Sequence, residues 1–175
     1  MMIDEATLMS DEFFCICMNN NIMAVQKVIR VILSRDDLDI TEVEVQKEFR
    51  NFKRSLRLDV YASDNEGRVY NVEVQVRNKG AEPKRSRFHC SMIDVQNLDK
   101  SQDFDELPES WVIFITLNDV LGYGRMLYTV NRYIDGTDER FDDKQHIVYS
   151  VRELCGGGRR VRTGEADSRH EVCKS

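Results

Sequence analysis

The feature that most constrains the fold of this chain is a pair of alternating segments near its middle. Apolar residues occupy every second position in residues 56–62 and again in residues 70–76, which is the period of a strand with one buried face. Residues 63–67, between the two segments, are turn formers that end in a glycine. We therefore predict an antiparallel hairpin. In its first strand, one face carries Leu56, Leu58, Val60 and Ala62, and the other carries Arg57, Asp59 and Tyr61.

Helices are predicted on both sides of this hairpin. A short one begins at Asp11, and a second covers residues 22–33, where Asn21 can cap the first turn. The chain is expected to leave this second helix near Asp36. A third helix runs from Pro83 to about residue 98, because proline is well suited to the first helical position. Its predicted inward-facing residues are Phe88, Met92 and Val95.

Further strands are predicted after the hairpin. Residues 111–117 form a nearly continuous apolar run, which is typical of a central strand covered on both faces. Residues 126–134 and 146–149 predict two more strands, while residues 40–49 fit either a strand or a helix. The order of these elements predicts an α/β (α+β) fold in which helices flank a mixed central sheet.

Composition is typical of one soluble domain. The 175 residues are 41% hydrophobic and 32% charged, and the longest apolar run, residues 111–115, is too short to span a membrane. Acids near the N-terminus, where a signal peptide would have Lys or Arg, argue against secretion. The five cysteines include no C-x-x-C pair, which argues against a disulfide framework and a zinc site. We therefore expect a cytoplasmic protein without a membrane partner. Residues 1–154 are expected to form the domain, and residues 155–175, rich in Gly and Arg, a disordered tail.

Two acids of the hairpin are candidates for metal binding. A connection of about five residues places Asp59 opposite Glu73, with their β-carbons roughly 4.5–5.5 Å apart. Two like charges at that distance repel unless a cation lies between them, and Mg²⁺ commonly takes one or two carboxylates and keeps several waters. Gln75 points into the same space. The alternative is that all three are solvent-facing residues of an ordinary hairpin.

The same residues belong to a longer pattern. Leu58-Asp59 is followed, fourteen residues after the aspartate, by Glu73-Val74-Gln75, and then by distinctive segments at residues 85–94 and 107–116. Over residues 8–150 the pattern resembles the PD-(D/E)XK nuclease family transposases, which are related to the recombination-promoting nucleases of bacterial mobile elements. The resemblance implies a restriction-endonuclease-like core in a C-terminally truncated copy.

The resemblance also implies a chemistry and the residues that perform it. Members of this family are expected to bind Mg²⁺, with Mn²⁺ as a substitute, and to hydrolyse phosphodiester bonds in DNA. Asp59 and Glu73 would be metal ligands, with the backbone carbonyl of Val74 as a third. Gln75, where many relatives have lysine, cannot supply a charge, but its amide can orient the attacking water or hold a phosphate oxygen.

Three further residues are implied, each with an alternative. Asp11 matches an acidic position of the family and would reach the metal through water, or else it stabilises the start of the first helix. Arg85 and His89 are four residues apart and share a helix face. They would contact a substrate phosphate, or else they are ordinary helix residues, with His89 half-buried.

The net charge of −6 constrains how such a chain could bind DNA. It provides no global basic surface, so a DNA site must be a local patch or depend on a bound cation. The leading hypothesis is a magnesium-dependent DNA endonuclease-like domain of a mobile element, with a homodimer left open. A second is a catalytically silent, truncated remnant that binds nucleic acid or protein. A third is an interaction domain with a chance motif.

Overall fold

The computed structural model describes residues 11–50, 53–76 and 80–152, apart from the side chain of Asp11. The tail expected at residues 155–175 lies outside these ranges. No helix within them combines the length and apolar character needed to cross a membrane. The described elements are α1 (Asp11–Met18), α2 (Ile22–Leu33), β1 (Ile40–Phe49), β2 (Leu56–Asp64), β3 (Val69–Gln75), α3 (Pro83–Asn97), a 3-10 turn (Phe104–Glu106), β4 (Ser110–Thr116), β5 (Leu127–Val130) and β6 (Gln145–Val151).

The six strands form one mixed sheet in the order β1-β2-β3-β4-β6-β5. β2 is antiparallel to both β1 and β3, β4 runs parallel to both β3 and β6, and β5 is antiparallel to β6. The segment that fitted either a strand or a helix is therefore a strand, β1, which pairs along β2. The predicted α/β fold with a mixed central sheet is confirmed, and so are the strands predicted at residues 111–117 and 146–149. The strand predicted over residues 126–134 is shorter than expected, because β5 ends at Val130.

Helices cover the sheet on both faces. On one face, α3 packs Met92 and Ile93 against Phe114 of the central strand β4. On the other, α2 packs Val25 and Ile29 against residues that include Ile113, also of β4. Because neighbouring residues of β4 are buried on opposite faces, the prediction of a central strand covered on both sides is confirmed.

The helix ends follow local chemistry, with two departures from expectation. Asn21 caps α2 as predicted, since its Oδ1 accepts a hydrogen bond from the Ala24 N–H at 3.1 Å. The helix ends at Leu33, a few residues before the predicted exit, because Ser34 adopts a left-handed conformation with φ 53° and its N–H closes the last turn. In α3, Met92 is buried, but Val95 is 60% exposed, so the prediction that it faces inward is wrong.

The turn between β2 and β3 fixes the register of the hairpin. Gly67 has φ 77°, as a glycine in a tight connection can. The buried carboxylate of Asp64 accepts hydrogen bonds from the backbone N–H of Arg68 and from the Tyr70 hydroxyl. In the resulting register Val60 pairs with Val72. The predicted register is therefore confirmed: Asp59 and Glu73 are the next residues outward on the two strands, opposite each other just beyond the last paired residues.

The prediction that β2 alternates regularly is wrong at one point. Leu58 packs on the α3 face, whereas Val60 packs on the α2 face, so the two do not share a side of the sheet. Gln46 of β1 lies between the Val45–Val60 and Lys47–Leu58 pairs and has φ 55°. This left-handed residue thus lies opposite Asp59, at the point where β2 changes face.

Candidate active site

Asp59 and Glu73 come together where the β2–β3 ladder opens. The Asp59 N–H donates a hydrogen bond to Glu73 Oε1 at 3.2 Å, and the Val74 N–H donates one to Asp59 Oδ2 at 3.0 Å. Each carboxylate thus accepts a backbone hydrogen from the opposite strand. Behind the pair, the Cys15 thiol of α1 donates to the Asp59 carbonyl at 3.5 Å. The two acids are held by three elements of the fold.

Glu73 is a buried carboxylate in an unfavourable environment. Its side chain is 0% exposed, and within the described residues its Oε2 has no hydrogen-bond partner. Burial raises the pKa of the Glu73 carboxyl to about 8, and the Asp59 carboxylate adds to this shift. Glu73 therefore retains a proton near neutral pH when no cation is bound. The alternative of a solvent-facing glutamate on an ordinary hairpin is wrong.

Helix α3 directs two side chains at Glu73. Arg85 Nη2 lies 3.8 Å from Glu73 Oε2, and His89 Nδ1 lies 3.7 Å from Glu73 Oε1. The predicted common face of these two residues is therefore the face that meets the candidate site. Arg85 is half-exposed, whereas His89 is 0% exposed rather than half-buried.

His89 is held as a neutral imidazole. Burial lowers the pKa of His89 to about 3, and the nearby Arg85 charge contributes. The Asn71 side chain lies 2.9 Å from His89 Nδ1. Because the Asn71 amide donates this hydrogen bond, the ring proton is assigned to Nε2, which has no partner among the described residues. Asn71 was not among the predicted site residues, although the alternation of β3 places it on the same face as Glu73.

Gln75 follows Glu73 on β3 and packs against the chain that leads into α3. A Cβ added to Gly80 would lie 1.7 Å from Gln75 Oε1, so the side chain occupies the space that a larger residue would fill. Only glycine at residue 80 leaves room for the Gln75 amide in this position. The amide is thereby oriented by the backbone at the entrance to α3.

The remaining predicted ligands are partly described. Val74 lies in β3 beside Glu73, and its N–H is bound by Asp59. Asp11 is the first residue of α1, and its side chain lies outside the described part of the chain. α1 does reach the site, because Cys15 touches the backbone of Asp59. A water-mediated contact of Asp11 with the metal stays a prediction.

The donor set suits a hard divalent cation that retains water. Within the described ranges, no group of three or more His, Cys, Asp and Glu side chains converges as a metal centre. Mg²⁺ needs only one or two protein carboxylates and fills its remaining positions with water or substrate oxygens. Asp59 and Glu73 meet that requirement, and the unpartnered Glu73 Oε2 is an oxygen that a cation could use. The residues present therefore fit Mg²⁺.

Comparison with known families assigns the chain to one of them. Residues 18–151 of the 175-residue chain match the family described as PD-(D/E)XK nuclease family transposase. The chain therefore belongs to this family, and its mixed sheet with flanking helices is consistent with a restriction-endonuclease-like domain. No curated protein and no solved structure matches the chain.

Proposed function

We propose that the protein is a metal-dependent DNA endonuclease domain of a mobile element and that it hydrolyses phosphodiester bonds at Asp59 and Glu73. The observation that carries this proposal is the state of Glu73, a fully buried acid beside a second acid, one of whose oxygens accepts no hydrogen bond from the described residues. Burying such a group is unfavourable for folding unless a partner compensates it. A divalent cation compensates both acids at once.

Asp59, Glu73 and the Val74 carbonyl would hold Mg²⁺, with Mn²⁺ as a substitute and Asp11 contributing through water. When bound, the cation would lower the pKa of a bound water and neutralise charge on the scissile phosphate. Glu73 has to give up its proton on binding. The Arg85 guanidinium, 3.8 Å away, favours the ionised form of Glu73.

The remaining residues would act on water and phosphate. The Gln75 amide, oriented by its packing against Gly80, would hold the attacking water or a phosphate oxygen. It supplies no charge, so the positive charge nearest to Glu73 comes from Arg85. Neutral His89 can donate from Nε2 to a phosphate oxygen.

The proposal extends to the setting of the domain. We propose a cytoplasmic protein of bacterial origin whose folded domain ends near residue 154, with residues 155–175 as a tail outside it. A catalytically silent remnant is the competing proposal, because Gln75 stands where the family commonly has lysine. DNA cleavage by the wild-type protein would favour the endonuclease, and its absence would favour the silent remnant.

The test is cleavage of supercoiled, linear and single-stranded DNA with Mg²⁺ and then Mn²⁺. Asp59→Asn and Glu73→Gln keep the shape of each side chain and remove its charge, and each should lower cleavage at least roughly 100-fold. Glu44 offers a matched control, since Glu44-Val45-Gln46 repeats the E-x-Q tripeptide on an exposed part of β1. Glu44→Gln should cleave like the wild type.

Two results would contradict the proposal. Unchanged cleavage by folded Glu73→Gln would show that the chemistry lies elsewhere. No cleavage by wild-type protein with either metal, on any of the three DNA forms, would favour the silent remnant.

A further inference from the structure

A basic cavity lies next to the candidate active site. Its volume is about 610 Å³, and it lies between the residues that lead into β2 and the first turns of α3. Its charged lining residues include one acid, Glu82, and four cations: Arg54, Arg57, Lys84 and Arg85. A local excess of positive charge is unexpected in a chain whose net charge is −6.

Other cavities in the described part of the chain do not have this excess. The cavity beside β5 and β6 is lined by three acids and three cations, and the one along β1 by two glutamates and one lysine. Among these three cavities, the one beside Glu73 alone has an excess of positive charge. This concentration is the local basic patch that an acidic DNA-binding protein requires.

The cations of the cavity are available to a ligand. Within the described ranges, no carboxylate lies within ion-pair distance of Arg54, Arg57 or Lys84. All three side chains are exposed. The Arg54 guanidinium lies over the Phe88 ring, 5.9 Å from its centroid, which positions the charge without neutralising it.

Arg85 and His89 connect the cavity to Glu73. Both residues line the cavity, and both lie within 4 Å of the Glu73 carboxylate. His89 is 0% exposed, and its unpartnered Nε2 lies on the opposite side of the ring from the Asn71 contact. The buried histidine therefore offers a hydrogen-bond donor that the fold itself does not use.

The start of α3 adds to the positive potential. Pro83 occupies the beginning of this 15-residue helix, its first turn contains no acid, and the Glu82 side chain does not cap it. Pro83 has no N–H, and the N–H groups of Arg85 and Ser86 bind the Glu82 carbonyl, so this helix end attracts anions mainly through its dipole. The helix end and four cations surround one cavity, and His89 lines it with its Nε2 buried from solvent.

We propose that this cavity binds backbone phosphates of the DNA strand next to the scissile phosphate, with Arg54, Arg57 and Lys84 as positioning residues. The inference rests on the proposed function, because it takes the cleaved phosphate to lie at Asp59 and Glu73. Point charges recognise phosphate without reading bases. The contact therefore holds DNA independently of sequence.

The test measures DNA binding apart from cleavage. Fluorescence anisotropy in EDTA is recorded for two labelled duplexes of unrelated sequence and one RNA duplex, over a series of salt concentrations. Arg54→Gln, Arg57→Gln and Lys84→Gln should each weaken binding about 3- to 10-fold and lower the salt slope by about 1. The affinity for the two DNA duplexes should fall by the same factor in each variant. The wild type should bind DNA more tightly than RNA. The exposed Lys27→Gln, on α2, should stay within about 2-fold of wild type.

Four results would overturn the inference: no DNA binding by the wild type, unchanged binding by a variant that combines Arg54→Gln, Arg57→Gln and Lys84→Gln, an equal loss in Lys27→Gln, or tighter binding of RNA. Because these substitutions are at exposed positions, thermal unfolding should confirm that the variants fold. The same protein also distinguishes a failure of the proposed catalysis from a failure of the proposed DNA binding. A wild type that binds DNA through these residues in EDTA but never cleaves it supports the cavity and refutes the proposed function.

Discussion

Asp59 and Glu73 each accept a backbone hydrogen bond from the other's strand. The Asp59 N–H binds Glu73 Oε1, and the Val74 N–H, next to Glu73, binds Asp59 Oδ2. The last ladder pair before them is Val60–Val72. Beyond that pair, side-chain oxygens rather than backbone carbonyls accept the hydrogen bonds between the strands. This exchange holds two acids close together, while Glu73 Oε2 accepts no hydrogen bond from the part of the chain that the structure describes.

Glu73→Gln should stabilise the metal-free protein, and the gain should grow with pH. The folded pKa of Glu73 is about 8, above its ordinary value of 4.5. Between these values the folded state keeps a proton that the unfolded chain releases, so wild-type stability falls as pH rises. The variant should gain about 2–4 kcal/mol more at pH 8 than at pH 5. Urea unfolding in EDTA measures the free energy of unfolding of both proteins at each pH. A gain that does not change with pH would contradict the raised pKa of Glu73 in the fold.

His89→Gln should reveal the opposite pH dependence of the two buried groups. The pKa of His89 is about 3 in the fold, below its ordinary value of 6.5, so its contribution to stability is lost as pH falls through this window. Between pH 5 and 6 the contributions of His89 and Glu73 have opposite signs and largely cancel.

The two single variants should therefore diverge between pH 5 and 6. Relative to wild type, His89→Gln should become more stable as pH falls, and Glu73→Gln less stable, each by about 1.4 kcal/mol per pH unit. Urea unfolding of the three proteins at closely spaced pH values gives the slopes. Equal slopes in His89→Gln and wild type would mean that His89 titrates normally in the fold, and equal slopes in Glu73→Gln and wild type would mean the same for Glu73.

Gln46→Gly should stabilise the protein by about 1 kcal/mol. Gln46 has φ 55°, a conformation that disfavours residues with a Cβ but suits glycine. The matched control is Glu44→Gly, two residues earlier on exposed β1, which should destabilise by about 0.5–1 kcal/mol. Thermal unfolding distinguishes the two substitutions. Destabilisation by both would contradict the left-handed conformation beside Asp59.

The sequence was sufficient to predict the hairpin and the pairing of its acids. Regular alternation before and after a short run of turn formers leaves few registers, and burial of one face selects among them. For this reason Asp59 and Glu73 could be paired from their numbers alone. The Pro83 start of α3 and the central position of β4 were also predictable from strong local signals.

Other features depend on contacts between distant segments. The left-handed conformation of Gln46 has no sequence signature, and the change of face between Leu58 and Val60 could not be predicted. The sheet face beneath α3 is polar at Asn71 and Glu73, so the helix buries His89 there while Val95 is exposed. The basic cavity joins residues 54–57 to residues 82–85, which no local pattern connects.

The most direct measurement of the central claim is thermal unfolding during titration with Mg²⁺ at neutral pH. A ligand that binds only the folded state raises its stability, by about 2.7 kcal/mol at one hundred times its dissociation constant. Wild type and Glu44→Gln should show the same rise, reversed by EDTA, and Glu73→Gln should show none. No rise in the wild type, or an equal rise in Glu73→Gln, would contradict a metal site at the Asp59–Glu73 pair.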